Sequence, residues 1–341
     1  MFVPYSVLEV ALFGLAAFIV SVVGTYGVLG WLRHRTVLDY PNARSSHTVP
    51  VPRGGGLVVS ALVLVGWTCA LMRAPIEIPE GAWAVLPSAV VLYILSWIDD
   101  RVGLKRRVRF PVHMAAVSVV IFMLPDSYTL FGGNIPFWID RCLSLVGWLW
   151  FLNLYNFMDG IDGLTAMQTA HIGLSLVLMS VVVSLPEVLP WGAFGSILAG
   201  GALGFLVFNW HPARLFLGDV GSIPLGFLVG FLLLILAMQG YLAAALIIPG
   251  YYVADATITL VRRVVKGYSL AVAHREHFYQ KAVHRGLRTH SQVVSAIFRG
   301  NVILACAALL SATVGVVWGA LVAVVLLAAL LARLNRSRKG T

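Results

Sequence analysis

Residues 223–239 read IPLGFLVGFLLLILAMQ and carry no charged side chain. A helix needs about 20 largely apolar residues to cross the hydrocarbon core of a bilayer, and this run comes close to that length. Similar apolar runs follow one another along the chain, so the pattern predicts an all-α, polytopic integral membrane protein with about 11 transmembrane helices. The predicted spans are 6–32, 54–72, 82–98, 110–124, 142–157, 164–185, 191–208, 223–239, 241–261, 302–318 and 319–334, of which the last two can also be read as one broken segment.

The composition agrees with a membrane protein. Of the 341 residues, 60% are hydrophobic and 11% are charged, whereas soluble domains average about 25% charged residues. These values exclude a water-soluble domain and a disordered chain, and the three cysteines give no disulfide framework. Because the spans occupy most of the chain, residues 1–341 are expected to form a single membrane-embedded domain.

The basic residues predict the orientation of the spans. If the amino terminus lies outside, every Lys and Arg except Arg73 and Arg141 falls on the inner side. Basic residues concentrate in the cytoplasmic loops of membrane proteins, so the amino terminus is expected outside and the carboxyl terminus in the cytoplasm. The formal charge of +10 is therefore expected from basic residues in cytoplasmic loops next to membrane lipids, and no nucleic acid partner is needed to account for it.

Chemically distinctive residues gather in the predicted cytoplasmic loops. Solute transporters usually hold their ionisable groups near the middle of the bilayer, whereas the inner aspartates here lie close to helix ends. This arrangement favours chemistry on an anionic, phosphorylated substrate at the inner membrane surface. The predicted catalytic loops are about 33–53, 99–109, 153–163, 209–222 and 262–299.

The first of these loops contains Arg44, His47 and Arg53, followed by three glycines at 54–56. Arginine and histidine are suitable donors to phosphate, and the glycines are expected to let an anion approach backbone amides. An ordinary basic loop is the alternative interpretation.

The second loop opens with adjacent carboxylates, Asp99 and Asp100, followed by Lys105. Adjacent carboxylates repel unless cations compensate them, and the pair could raise one pKa into the range of a general base. A solvated acidic turn is the alternative.

The third loop carries polar groups at intervals of three residues: Asn153, Asn156, Asp159 and Asp162. Neighbouring members share a helical face, but all four could converge only if the helix opened at Gly160 and Gly163. Amide and carboxylate oxygens suit coordination of a hard cation or hydrogen bonding to a base.

A single carboxylate, Asp219, lies between Gly218 and Gly221 at the start of a hydrophobic span. It is a candidate Mg²⁺ ligand. Its alternative role is to cap the following helix.

The last long loop contains Asp255, His274, Arg275 and His277. No cysteine lies nearby and the spacing is not that of a zinc site, so a cationic clamp for a diphosphate is favoured over zinc. A basic amphipathic helix on anionic lipid is the alternative. Two isolated histidines in apolar spans, His113 and His171, are expected to be structural.

In this order and on these loops, the motifs resemble the polyprenyl-phosphate N-acetylhexosamine-1-phosphate transferases, the MraY/WecA superfamily of glycosyltransferase family 4. The most specific parts are Asp99-Asp100 and the segments 153–163, 216–222 and 274–280. The loop 41–56 and the pattern at 274–280 look most like the WbpL branch, which initiates O-antigen units. The consecutive histidines of MraY are missing, which weakens a role in peptidoglycan synthesis.

The resemblance implies transfer of an N-acetylated sugar 1-phosphate from a UDP-sugar (GlcNAc, FucNAc or QuiNAc) to undecaprenyl phosphate, with UMP as the other product. It also implies Mg²⁺, for which Mn²⁺ could substitute, a location in the bacterial inner membrane with a cytoplasmic active site, and possible homodimers. The alternatives are a lipid-linked sugar flippase, a non-catalytic scaffold and an MraY-type transferase.

By the same resemblance, Asp219 and Asn156 would bind the metal, and Asp99 or Asp100 would act on the acceptor phosphate. Asp159 and Asp162 would line the nucleotide pocket. The remaining residues would bind substrate: Arg44, His47, Arg53, Lys105, Asn153, Asp255, His274, Arg275 and His277.

Overall fold

The computed structural model describes residues 5–41, 49–74, 78–185, 189–268, 274–286 and 288–336. These residues are almost entirely helical. The helices are α1 (Val7–His34), α2 (Gly56–Arg73), α3 (Glu80–Val102), α4 (Arg106–Met123), α5 (Phe137–Phe157), α6 (Leu164–Val182), α7 (Trp191–Asn209), α8 (Asp219–Leu236), α9 (Leu242–Ile247), α10 (Gly250–Val265), α11 (Phe278–His284), α12 (His290–Thr313) and α13 (Val316–Asn335). A π-helical turn, Ala237–Tyr241, joins α8 to α9, and two short strands, β1 (Leu38–Asp39) and β2 (Val51–Pro52), pair antiparallel.

The all-α membrane architecture predicted from the sequence is confirmed. Among the described residues, 8 helices are long and apolar enough to cross a membrane. The predicted run 241–261 is divided between α9 and α10, and the last two predicted runs are separate helices, α12 and α13, which meet at Gly315. The count of about eleven spans and the orientation stay predictions, and all three cysteines are free.

Helix α8 lies at the centre of the bundle and is buried along its whole apolar length, whereas α1 and α13 lie mostly on the outside. Its glycines permit close helix packing, since a Cβ at Gly230 would lie 2.5 Å from the Trp148 ring. The Trp148 indole N–H donates to the Phe227 carbonyl at 3.0 Å. The amino-terminal residue of α8, Asp219, is therefore carried on a rigid central element.

The segment before α2 is joined to the α7–α8 loop by backbone hydrogen bonds. The Phe216 N–H donates to the Pro52 carbonyl at 2.9 Å, and the Gly54 and Gly55 N–H groups donate to the Phe216 carbonyl at 3.1 and 2.8 Å. The Gly56 N–H donates to the Leu217 carbonyl at 2.8 Å. The expectation that these glycine amides receive an anion is therefore wrong, because loop carbonyls already accept their hydrogen bonds.

Candidate active site

Five ionisable side chains meet at one end of the bundle. Arg53 precedes α2, Asp99 and Asp100 lie in the last turn of α3, Arg109 lies in the first turn of α4, and Asp219 begins α8. The Arg53 Nη2 lies 2.9 Å from Asp100 Oδ1 and 2.7 Å from Asp219 Oδ1. The Arg109 Nη1 lies 3.2 Å from Asp219 Oδ2 and also contacts Asp99. The structure thus brings together four predicted site residues and adds Arg109, and we call these five residues the ion cluster.

Asp100 holds the amino terminus of α8. Its two carboxylate oxygens accept the backbone N–H groups of Asp219 at 3.0 Å and of Val220 at 2.9 Å. Gly218 is the N-cap residue and makes no side-chain cap of its own. Unpaired N–H groups at a helix amino terminus attract a carboxylate, so Asp100 replaces the missing cap from another helix. Asp219 is not the cap that the alternative interpretation proposed.

Asp99 is fixed by the turn between α3 and α4. Its Oδ1 accepts the Leu104 N–H at 2.6 Å, and its Oδ2 contacts Arg109. Gly103 forms this turn with a left-handed φ of 68°, which suits glycine. The turn therefore holds the Asp99 carboxylate against Arg109, within the ion cluster.

Asn156 reaches the same cluster from α5. Its Nδ2 donates to Ser222 Oγ at 2.8 Å and to Asp219 Oδ1 at 3.3 Å. Asn153 lies one turn earlier and donates to the Leu149 carbonyl at 2.7 Å. Asn156 therefore contacts the ion cluster directly, whereas the side-chain N–H of Asn153 is used within its own helix.

Charge balance in the ion cluster leaves room for another cation. Burial alone would lower the pKa of Arg53, but the carboxylates of Asp219 and Asp100 raise it, so the guanidinium stays charged. Three carboxylates then face two guanidinium groups. Oxygen atoms of side chains are the ligands that Mg²⁺ takes in proteins. Asp219 and Ser222 supply a carboxylate and a hydroxyl, and Asn156 would add an amide oxygen after its side chain turns over, because its Nδ2 faces both of them in the structure. The donor set fits a divalent cation.

Asp159 lies beyond the end of α5, in the field of the ion cluster. Burial raises the pKa of Asp159 to about 6, although the Thr165 hydroxyl and Arg53 act in the opposite direction. Asp219 raises this pKa further. Asp159 is thus a carboxyl group that changes its charge close to neutral pH.

Asp162 forms a second polar group with two histidines. Its Oδ2 lies 2.6 Å from His211 Nδ1 and 3.3 Å from His290 Nδ1, and accepts the Ala213 N–H at 3.1 Å. Burial opposes ionisation, but hydrogen bonds from His290 and His211 lower the pKa of Asp162. The three possible ligand atoms lie within 4.8 Å of one another. However, His290 Nδ1 lies 3.3 Å from both the Asp162 backbone nitrogen and Asp162 Oδ2, so Asp162, His211 and His290 already form a network of polar contacts with one another.

Asp255 is fully buried in α10 and anchors the segment 274–280. Its carboxylate accepts the Phe278 N–H at 3.0 Å and the Tyr279 N–H at 3.2 Å, and its Oδ1 lies 3.2 Å from His277 Nδ1. The Tyr251 hydroxyl donates to the same carboxylate at 2.8 Å. With both oxygens engaged, Asp255 positions its neighbours, and its predicted contact with substrate has no support in the geometry.

The anchored segment lies against the loop that carries Asp159. The Tyr279 hydroxyl donates to the Phe157 carbonyl at 3.1 Å. Burial lowers the pKa of His274 to about 4, with His277 and Arg263 acting in the same direction, so His274 is neutral near pH 7. The Arg275 Nε is buried without a hydrogen-bond partner among the described residues. This segment therefore offers one neutral imidazole and one guanidinium with an unused donor.

Three predicted residues are not brought into these contacts. Arg44 and His47 lie outside the described residues. Lys105 is exposed at the N-cap of α4 and forms no ion pair with any described residue.

A cavity of about 560 Å³ opens beside the ion cluster, between α4 and α5. Val146 and Phe110 on its rim are 61% and 50% exposed, so the cavity opens on the outer, apolar surface of the bundle. A second cavity of about 210 Å³ adjoins it at Trp150. The first cavity is polar at one end, with Arg106, Arg109, Asn153 and Asn156, and apolar beyond, with Phe110, Leu149, Trp150, Ile223 and Leu260.

Sequence reasoning missed Arg109, Ser222, His211 and His290. Arg109 could have been found from its helical spacing, since Arg106, Arg109 and Phe110 share one face of α4. Ser222 lies within the 216–222 motif and follows Asp219 by three residues. His211 and His290 gave no local signal, because their partner Asp162 is 49 and 128 residues away.

Comparison with known proteins connects this site to one family. The sequence pattern described as "Glycosyl transferase family 4" matches residues 82–237, the part of the chain that carries Asp99, Asp100, Asn156 and Asp219. The chain is 31% identical over 330 residues to the decaprenyl-phosphate N-acetylglucosaminephosphotransferase of Mycobacterium leprae, covering 85% of this chain and 80% of that one.

Two other relatives bear related names. The probable undecaprenyl-phosphate N-acetylglucosaminyl 1-phosphate transferase of Bacillus subtilis is 26% identical over 275 residues, covering 76% of this chain and 73% of its own. The phospho-N-acetylmuramoyl-pentapeptide-transferase of Chlamydia pneumoniae is 27% identical over 285 residues, covering 73% and 79%.

Proposed function

This chain belongs to glycosyl transferase family 4, within the MraY/WecA superfamily, and on that basis we propose that it transfers an N-acetylated sugar 1-phosphate from a UDP-sugar to undecaprenyl phosphate. It is a multi-pass membrane enzyme of the glycosyl-1-phosphate transferase class. The products are undecaprenyl diphosphate sugar and UMP, and the reaction initiates O-antigen or a related cell-surface glycan at the cytoplasmic face of the inner membrane.

One observation carries the proposal: the ion cluster lies at the polar end of an apolar cavity that opens on the outer surface of the bundle. A lipid phosphate needs a charged site within reach of an apolar groove, because its chain stays in the hydrocarbon region. A soluble acceptor needs no such groove. The cavity therefore suits a polyprenyl phosphate whose phosphate lies near Arg109 and whose chain extends past Trp150.

The reaction exchanges one diphosphate bond for another. An oxygen of the acceptor phosphate attacks the β-phosphorus of the UDP-sugar, a new P–O bond forms, and the bond between the β-phosphorus and the UMP oxygen breaks. No ATP is consumed. Arg53 and Arg109 neutralise charge on the phosphates, and preorganised cations of this kind stabilise the charge that develops during phosphoryl transfer.

The carboxylates divide between orientation and chemistry. Asp100 is used to hold α8, so Asp99 is the member of the pair that we assign to the acceptor phosphate. The loop that carries Asp159 and Asp162 packs against the segment 274–280 at Phe157 and Gly160, which suits binding of the nucleotide and the donor diphosphate. Neutral His274 would donate a hydrogen bond, and the unused Arg275 Nε would contact a phosphate oxygen.

We assign a Mg²⁺ requirement to Asp219, with Ser222 as a further oxygen donor and Asn156 as a third once its amide turns its oxygen toward them. When bound, the cation would draw negative charge from the diphosphate. Arg53 and Arg109, which contact the Asp219 oxygens in the structure, would orient that carboxylate.

The test is release of UMP by purified protein with undecaprenyl phosphate, Mg²⁺ and one donor at a time: UDP-GlcNAc, UDP-FucNAc, UDP-QuiNAc or UDP-MurNAc-pentapeptide. We expect UMP from at least one N-acetylhexosamine donor, only when the lipid is present, and none from the Asp99→Asn variant. Preference for the pentapeptide donor would indicate a peptidoglycan precursor transferase. Absence of UMP with every donor would contradict the proposal and favour the alternative function of a lipid-linked sugar flippase.

A further inference from the structure

His113 lies on α4 within the bundle and is 5% exposed. It lines the cavity beside the ion cluster, on the same helical face as Arg106 and Arg109, at spacings of seven and four residues. Its Nδ1 is buried and has no hydrogen-bond partner among the described residues. The sequence predicted only a structural role for this histidine, and its surroundings do not supply one.

The other isolated histidine shows how the fold treats a purely structural imidazole. His171 Nε2 lies 2.9 Å from the Ile248 carbonyl oxygen, and its Nδ1 lies 3.4 Å from Ser175 Oγ. Both of its ring nitrogens therefore have partners inside the bundle. A buried polar nitrogen without a partner is costly, so the contrast marks His113 as a group whose partner comes from outside the chain.

The position of His113 in the cavity limits what that partner can be. It is the last polar lining residue along α4 from the basic end, and the wall beyond it is apolar. On the facing wall, the Asn153 side-chain N–H already donates to the Leu149 carbonyl. A ligand that meets His113 must therefore combine an oxygen near Arg109 with an apolar chain directly behind that oxygen.

We propose that the imidazole of His113 hydrogen bonds to the phosphate of the acceptor lipid at the point where the phosphate joins the isoprenoid chain. This inference rests on the proposed function and adds a specificity-determining contact to it. Arg109 holds the charged oxygens of the phosphate, and His113, one helical turn farther along α4, fixes the ester end. Together they hold the attacking oxygen at the ion cluster and set how far the lipid enters.

The test compares His113→Leu and His113→Gln with a control at the next residue, Met114→Leu, which is 42% exposed on the outer surface. Steady-state rates of UMP release are measured against undecaprenyl phosphate and against the UDP-sugar. For His113→Leu we expect the KM for the lipid to rise by about tenfold or more, as for a lost hydrogen bond to a charged group, while the KM for the donor stays unchanged. His113→Gln recovers part of the loss, and Met114→Leu behaves as wild type.

Thermal unfolding without substrate separates this role from a structural one. Because His113→Leu removes an unpartnered polar nitrogen, its Tm should equal or exceed that of wild type. A lower Tm, together with a rise in KM for both substrates, would overturn the inference, and so would an unchanged KM for the lipid. If wild-type protein releases no UMP at all, the failure lies with the proposed function instead.

A binding arm distinguishes the acceptor from other phosphate lipids. Undecaprenyl phosphate added without donor should raise the Tm of wild type and raise that of His113→Leu less. Phosphatidic acid carries the same phosphate monoester on a different chain, and we expect it to raise both Tm values equally or not at all. An equal dependence on His113 for both lipids would overturn the assignment to the isoprenoid acceptor.

Discussion

Asp100 caps the helix that begins with Asp219: its carboxylate oxygens accept the Asp219 and Val220 N–H groups at 3.0 and 2.9 Å. The two aspartates therefore have different tasks. Asp100 is buried, with a side chain 1% exposed, whereas the side chain of Asp219 is 18% exposed. One fixes the position of α8, and the other stays partly exposed within the ion cluster.

Replacing Asp100 with alanine should lower stability as well as activity. Loss of a helix cap costs up to about 2 kcal/mol, and Arg53 loses one of its two carboxylate partners. We expect a lower Tm in detergent and little UMP release. A variant with wild-type Tm and no activity would instead assign Asp100 a purely chemical role.

Replacing Asp219 with asparagine should affect the metal requirement while the fold is kept. Asparagine keeps the shape of the side chain and removes the negative charge that a divalent cation prefers. We expect half-maximal activity at a Mg²⁺ concentration about tenfold higher or more, with Tm close to that of wild type. Wild-type turnover at limiting Mg²⁺ would remove the metal assignment.

Substitution of Gly56 by alanine should push the segment before α2, which carries Arg53, away from the amino-terminal end of α8. A Cβ at Gly56 would lie 2.1 Å from the Gly221 backbone nitrogen, and backbone cannot yield as a flexible side chain does. We expect a lower Tm and loss of activity through displacement of Arg53.

The matched control for this substitution is Gly27→Ala in α1, where, among the described residues, no atom beyond the adjoining turns of α1 itself lies within 4 Å of the added Cβ. Alanine favours a helix over glycine by about 1 kcal/mol, so this variant should unfold at the same temperature as wild type or higher. Equal loss of stability in the two variants would contradict the role assigned to Gly56.

The carboxyl group of Asp159 should make stability depend on pH. Burial raises its pKa from 3.8 to about 6, so the folded state holds the proton more tightly than the unfolded state. The contribution of Asp159 to stability is therefore present below about pH 4 and is lost as pH rises to about 6. Asparagine resembles the protonated form, so Asp159→Asn should gain Tm relative to wild type between pH 5 and pH 7.5 in Mg²⁺-free buffer. A constant difference in Tm over this range would show that Asp159 does not titrate there.

Much of the fold could be predicted because each span carries its own signal. The run at 223–239 is apolar throughout, and the structure makes it the buried central helix. Division of the 241–261 run at Pro249 was harder to foresee. A proline does not always end a helix, since Pro224 lies inside α8, which stays helical. Local sequence indicates that a segment is apolar, and tertiary packing decides where it breaks.

The candidate site could be predicted in part. Asp99, Asp100 and Asp219 stood out because carboxylates are rare beside apolar spans, and the structure brings them together through Arg53 and Arg109. Their separate roles could not be predicted, since the cap that Asp100 supplies joins residues 119 positions apart. Asp255 is similar, because its burial beneath the 274–280 segment depends on long-range packing rather than on its neighbours in sequence.

The hydrogen bonds between the segment before α2 and the α7–α8 loop have a consequence for biosynthesis. Arg53 and Asp219 are separated by 166 residues, so the pocket has no precursor in the nascent chain until the eighth helix has entered the bilayer. Until then, Asp100 lacks the N–H groups of α8 that its carboxylate accepts in the folded protein. Insertion of α8 is the event that turns a set of membrane helices into an enzyme.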